Sequence, residues 1–167
     1  MKMNDFKQMY AIVLFMLALA SGGCSAGPDS LAELLPAQME GWRLDQVITG
    51  TDAMNAVNRL HASTIQMEDA AIGHYSGRSG PMTVWISRAT GAAAGREQAI
   101  LMLEKMMRTP DTPFSNSSHV QEGGVDVYRV EGLGQAHLIF ARNALVYWIS
   151  LDPAFEPVAL EAFLRAD

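Results

Sequence analysis

The sequence predicts an α+β fold, an antiparallel sheet of about five strands with helices packed on one face in a two-layer sandwich. Three observations carry this. Strand-like segments at 70–75, 81–88, 125–130, 135–141 and 145–151 are joined mostly by connections of hairpin length. After the first helices the order reads β-β-α-β-β-β-α, which lacks the alternation of a parallel sheet. The segment 92–108 also has the apolar spacing of a helix lying on a sheet.

Taken in order, Leu31-Ala-Glu-Leu-Leu35 is a short apolar turn of helix ended by Pro36, and Gly41-Trp42-Arg43-Leu44 opens a strand running through Val47-Ile48. Asp52 is placed as a helix N-cap, with Met54, Val57 and His61 at i, i+3, i+7 on one face of the helix that follows. The strands at 70–75 and 81–88 flank Ser76-Gly77-Arg78-Ser79-Gly80 and should form a hairpin. In the second strand Met82, Val84 and Ile86 alternate with Thr83, Trp85 and Ser87, the period of a sheet with one face in the core. In the 92–108 helix Ile100, Leu103 and Met107 are expected inward, with Ala99 and Met106 beside them. The stretch 109–118 holds two prolines and no period, and reads as a loop crossing back over the sheet. Leu145-Val-Tyr-Trp-Ile149 is apolar on both faces, which places it at the sheet centre. Asp152-Pro153 ends it, and 157–165 forms a last helix with Leu160, Phe163 and Leu164 inward.

Ahead of this domain the chain carries an address. Lys2 and Lys7 precede Met9–Ala20, twelve uninterrupted apolar or aromatic residues. As a helix these rise about 18 Å, short of the roughly 30 Å hydrocarbon core, so 1–23 reads as a signal peptide rather than a membrane span. Ser21-Gly22-Gly23-Cys24 resembles a bacterial lipobox, whose cysteine receives a lipid and becomes the mature N-terminus. Gly23 fits that pattern, while Ser21 stands where the pattern prefers Leu. Ala18-Leu19-Ala20 is a rival site for ordinary cleavage after Ala20. Cys24 is the only cysteine; lipidation there leaves no unpaired thiol in an exported chain. The organisation expected is therefore 1–23 leader, 24–30 lipidated N-terminus and tether, and 31–167 one α+β domain facing the periplasm. Ser25 after the cysteine favours the outer membrane.

Composition narrows the partners. The 167 residues are 49% hydrophobic and carry 12 Lys+Arg against 18 Asp+Glu. A chain of this length can bury roughly two-thirds of its unfolded surface without disulfide or metal. Loss of Lys2, Lys7 and Asp5 with the leader leaves ten cations against seventeen anions, net −7, and Lys105 as the one remaining lysine. Such a balance disfavours nucleic acid as a partner.

Most catalytic patterns are absent from the sequence. His61, His74, His119 and His137 are spread over four elements without metal-ligand spacing, and no metal or other cofactor is expected. Met102, Met106 and Met107 could suggest Cu(I), but read more simply as core filler. Gly132-Leu133-Gly134 lacks the third glycine of a dinucleotide loop, and no G-x-S-x-G elbow occurs. The chain is therefore expected to be non-enzymatic. One constellation stays open: Gln135 and His137 on one strand, with Tyr147 and Trp148 on the next, would offer polar atoms and large rings to a small ligand if those strands pair.

Leu35-Pro36, Gly41-Trp42, Arg59-Leu60-His61 and Gly132-x-Gly134-Gln135-x-His137 together resemble small exported bacterial lipoproteins of unknown function, over about residues 31–155. The resemblance implies no catalytic residue, and it adds weight to His61, Gln135 and His137 as binding positions beside Trp148. The resulting expectation is a lipid-anchored envelope protein held to the membrane through Cys24, serving as a binding or accessory module for an envelope protein partner. The alternatives are a small-ligand carrier using the open sheet face, or a secreted periplasmic protein without lipid.

Overall fold

The computed structural model describes residues 30–61 and 65–165; the leader, Cys24 and all but the last residue of the tether lie outside them. A single 3-10 turn at Leu31–Leu34, whose Ala32 amide donates to the Ser30 hydroxyl at 3.2 Å, leads into β1 (Gln38–Met39) and β2 (Trp42–Thr49). Then come α1 (Gly50–His61), β3 (Asp69–Ser76), β4 (Met82–Arg88), α2 (Ala92–Arg108) and β5 (Phe114–Glu122). The strands β6 (Val125–Gly132), β7 (Gln135–Arg142) and β8 (Leu145–Leu151), a 3-10 turn at Pro153–Phe155 and α3 (Glu156–Arg165) complete the order.

The strands form one eight-stranded sheet in the order β1-β2-β3-β4-β8-β7-β6-β5, every neighbouring pair antiparallel. Two meanders, β1 to β4 and β5 to β8, thus meet along β4 and β8, and α2 carries the chain between them. The α+β antiparallel class holds, but the sheet has eight strands rather than about five. The largest addition is β5 (Phe114–Glu122), whose first half, up to Ser118, falls in the stretch 109–118 expected to be a loop. It is an edge strand whose side chains are exposed after Phe114, so no period-2 pattern marks it, and its pairing with β6 supplies the order. Gly123-Gly124 and Leu133-Gly134 take positive φ at both positions, as two-residue hairpin turns require.

A second correction concerns the layers. The helices do not share one face. α3 and the two 3-10 turns cover one side, packing Leu31, Leu34, Leu160 and Phe163 on Met82, Val84, Leu138, Phe140, Tyr147 and Ile149. On the other side α2 packs Ala99, Met102 and Met106 on Val130, Ile139 and Val146, while α1 packs Ala53 and Val57 on Ala70 and Ile72. β7 and β8 are apolar on both faces and need a cover on each. Helix amphipathicity states only that a helix packs, not on which side. The inward stripe of α2 also differs from the expected one: Gly95, Ala99, Met102 and Met106 are buried, whereas Ile100 is 44% exposed. Asp52 lies inside the first turn of α1, which begins at Gly50, rather than capping it.

β8 lies between β4 and β7 near the middle of the sheet, as its two apolar faces predict. The face under α3 is continuous. Phe140 stacks on Tyr147 at 4.7 Å between ring centres, Tyr147 meets Phe163 at 6.3 Å, and Arg129 fixes the start of α3 through two bonds of 2.7 Å to Glu156. A further bond of 2.8 Å joins Arg129 to Glu131. The opposite face carries two separate helices, and the space between them is the principal feature of the molecule.

Candidate functional site

Strand register assembles the floor of that space. Pairing of β3 with β4, β4 with β8 and β8 with β7 sets His74, Thr83, Ser150 and His137 in one row across four strands. The next row is Ile72, Trp85, Trp148 and Ile139. Both rows face α1 and α2, so a polar band runs beside a band of rings. Three strand spacings separate His74 from His137, roughly 14 Å, so the two histidines share the floor without touching.

Over this floor lies a groove of ≈ 660 Å³, within the range of small-molecule sites. Met102, Lys105 and Met106 of α2 wall one side, Leu60 of α1 contributes opposite, and Thr109, Thr112, Pro113, Phe114, Leu133 and Gln135 form the remaining rim. Past Trp85 and Trp148 a small void of ≈ 20 Å³ continues between Val57, Ser87 and Val146, room for about one water. The rim is locally braced. Thr109 and Thr112 donate to the carbonyls of Lys105 (2.6 Å) and Met106 (2.5 Å), capping the end of α2. On the α1 side, Asn58 accepts from the Ile65 amide at 3.0 Å, and Gln98 of α2 donates to the Gln66 carbonyl at 2.6 Å.

His137 organises the polar band. The Trp148 indole N–H donates to His137 Nδ1 at 3.1 Å. An indole N–H can only donate, so Nδ1 is the lone-pair nitrogen and Nε2 carries the proton, which it donates to the Gly132 carbonyl at 3.0 Å. The imidazole is held neutral and in one tautomer. Burial pushes its pKa below the usual histidine value, with the Gly132 bond acting weakly the other way. Phe114 stands edge-on to the ring at 5.1 Å and Trp148 at 5.8 Å, while Trp85 stacks on Trp148 at 6.3 Å. Gly132 makes this closure possible: a Cβ there would run into the Phe114 ring and the Pro113 carbonyl.

Ser150 Oγ lies 2.8 Å from His137 Nδ1, a nucleophile-and-base distance. The one lone pair of Nδ1 is already met by Trp148, however, and no Asp or Glu lines the groove to orient the ring from behind. With the Ser150 hydroxyl and the Trp148 N–H both donating to Nδ1 and Nε2–H donating to Gly132, the ring is committed to internal hydrogen bonds and serves as a fixed part of the floor.

Of the four residues singled out from the sequence, Gln135, His137 and Trp148 come together in this groove. His61 is the last residue of α1, next to the groove-lining Leu60, and its side chain lies outside what is described. Tyr147 is excluded from the constellation, because it faces the closed side of the sheet against Phe140. Sequence reasoning missed His74, Thr83, Trp85 and Ser150 as members of one site. The alternation of Thr83, Trp85 and Ser87 was a usable signal, but the β4–β8 pairing that joins them to Trp148 is a long-range contact. Among the described residues no cluster of three His, Cys, Asp or Glu side chains could hold a metal ion.

No family model matches the chain, and no curated protein does. Among solved structures it is similar to a GTP binding regulator from Thermotoga maritima, at 12% identity and a TM-score of 0.47, over 77% of this chain and 80% of that one.

Proposed function

We propose that the chain is an exported bacterial envelope protein, anchored through a lipid on Cys24, whose folded part is a non-enzymatic module binding a small, largely apolar ligand in the groove between α1 and α2. The observation that carries the binding reading is the groove itself: a cavity of ≈ 660 Å³ floored by Trp85 and Trp148 and by a neutral, tautomer-locked His137. Leu60 and Leu133 stand at its rim 47% and 70% exposed, which in water favours an apolar visitor.

A thermal-shift screen of small apolar and amphipathic compounds tests the binding reading. Hits that raise the melting temperature of the wild type and fail with Trp148→Ala are expected; a uniformly null screen counts against it. The anchor is tested separately by Cys24→Ser, which should abolish partitioning into detergent. An unchanged partition would remove the lipid from the proposal.

A second reading, an accessory module for an envelope protein partner, draws on Ile100 and Leu101, which are 44% and 50% exposed on α2. Co-purification from membranes that is lost in Ile100→Ser/Leu101→Ser would favour it.

A further inference from the structure

Resting on the groove reading, we infer that the ligand class is an uncharged, elongated hydrophobe that meets the floor through carbon. The polar atoms of the floor are engaged with one another. Ser150 and Trp148 both donate to His137 Nδ1, and Nε2 donates to the Gly132 carbonyl. His74 Nδ1 lies 3.3 Å from the Thr83 hydroxyl, and Thr109 and Thr112 direct their protons to helix carbonyls. A hydroxyl, an indole and a neutral imidazole each carry a single proton to donate, so the floor has little hydrogen bonding left to offer a ligand. Gln135 stands apart from this network, half-buried at the rim.

Charge points the same way. No Asp or Glu lines the groove, and Lys105 at its rim is already engaged within the protein. A carboxylate or ammonium head entering the groove would give up water without gaining an uncommitted opposite charge, which is costly. What the groove leaves open is carbon. Leu60 and Leu133 are 47% and 70% exposed at the rim, and Trp85, Met102, Met106 and Phe114 line the interior. The shape adds length. The floor crosses β3, β4, β8 and β7, roughly 14 Å from His74 to His137, and past Trp85 it continues into the small void. A narrow molecule laid across the strands fits such a floor.

The test is calorimetric titration of the full chain carrying Cys24→Ser, so that no detergent competes, with 1-decanol, decanoate and decyltrimethylammonium, which share one chain and differ in charge. 1-Decanol should bind about tenfold or more tightly than either ion. Leu60→Ser, at an exposed position of α1, and Trp85→Ala, which leaves the hydrogen bonds of His137 intact, should each weaken 1-decanol by about threefold or more. The exposure of Leu60 keeps the test standing even if Trp85→Ala fails to fold. Either ion binding as tightly as 1-decanol overturns the uncharged class, and loss of that binding with Trp148→Ala would leave the groove reading in place. Binding of 1-decanol that neither Leu60→Ser nor Trp85→Ala alters lies outside the groove and also overturns the inference. If none of the three binds, the inference falls, and the thermal-shift screen then decides whether the groove reading falls with it.

Discussion

The two faces of the sheet are built from the same strands yet end differently. Under α3 the rings of Phe140, Tyr147 and Phe163 interlock and the helix start is fixed by Arg129, so Leu138, Phe140, Tyr147 and Ile149 in the middle of β7 and β8 are buried. Across the sheet α1 and α2 each cover a separate patch and leave Trp85, Trp148 and the row containing His137 between them. One face behaves as a core, where close packing makes every lost methylene felt. The other trades packing for accessible volume, and it keeps its shape through a hydrogen-bonded histidine rather than through density.

The comparison is broken most forcefully from the closed side. Phe163→Ala should cost about 3–5 kcal/mol, because a fully buried ring is replaced by a cavity. Urea unfolding checks this, and ligand affinity of the remaining folded protein should be unaltered. On the grooved side His137→Ala should cost less, about 2 kcal/mol, from orphaning the Trp148 indole N–H and the Gly132 carbonyl. It should also abolish ligand-induced stabilisation, which a thermal shift reads.

Acidity sharpens the same contrast. The folded-state pKa of His137 is lowered by burial, so below about pH 6.5 the unfolded chain takes up a proton that the folded protein resists. The contribution is therefore fully present above that pH and is lost as pH falls towards the lowered value. Unfolding midpoints at pH 8 and 5.5 should show this loss, and His137→Ala should reduce it.

Smaller effects come from two single groups. Tyr75 lies on the closed face with its hydroxyl buried and unpartnered, and burial raises its pKa. Tyr75→Phe should leave stability unchanged or raise it by up to about 1 kcal/mol in urea titration. Leu133→Ser at the exposed hairpin tip should change stability by no more than about 0.5 kcal/mol, yet weaken ligand binding in calorimetry.

Local pattern was sufficient for much of the fold. The Met82, Val84, Ile86 alternation and the hairpin-length connections between the strands at 125–130, 135–141 and 145–151 were readable because period and turn chemistry are short-range. The side on which α2 and α3 pack was not, since that depends on how the chain crosses the sheet. β5 escaped because Ser115 to His119 bury nothing and take their order from β6. Within the site, Gln135, His137 and Trp148 were visible as an unusual grouping on adjacent strands. Lys105, Phe114, Trp85 and Ser150 were not grouped with them, because the β4–β8 pairing and the turn closing α2 bring them there.

The central claim is that the face between α1 and α2 is the binding face, and the three tryptophans report on it separately. Trp85 and Trp148 floor the groove, while Trp42 is buried on the opposite side with its indole N–H bonded to the Gly80 carbonyl at 3.0 Å. Titration with 1-decanol, followed by the indole N–H resonances in a nitrogen–proton correlation spectrum, should shift Trp85 and Trp148 and leave Trp42 in place. A shift confined to Trp42, or no shift of any indole by 1-decanol and by every hit of the thermal screen, would contradict the account.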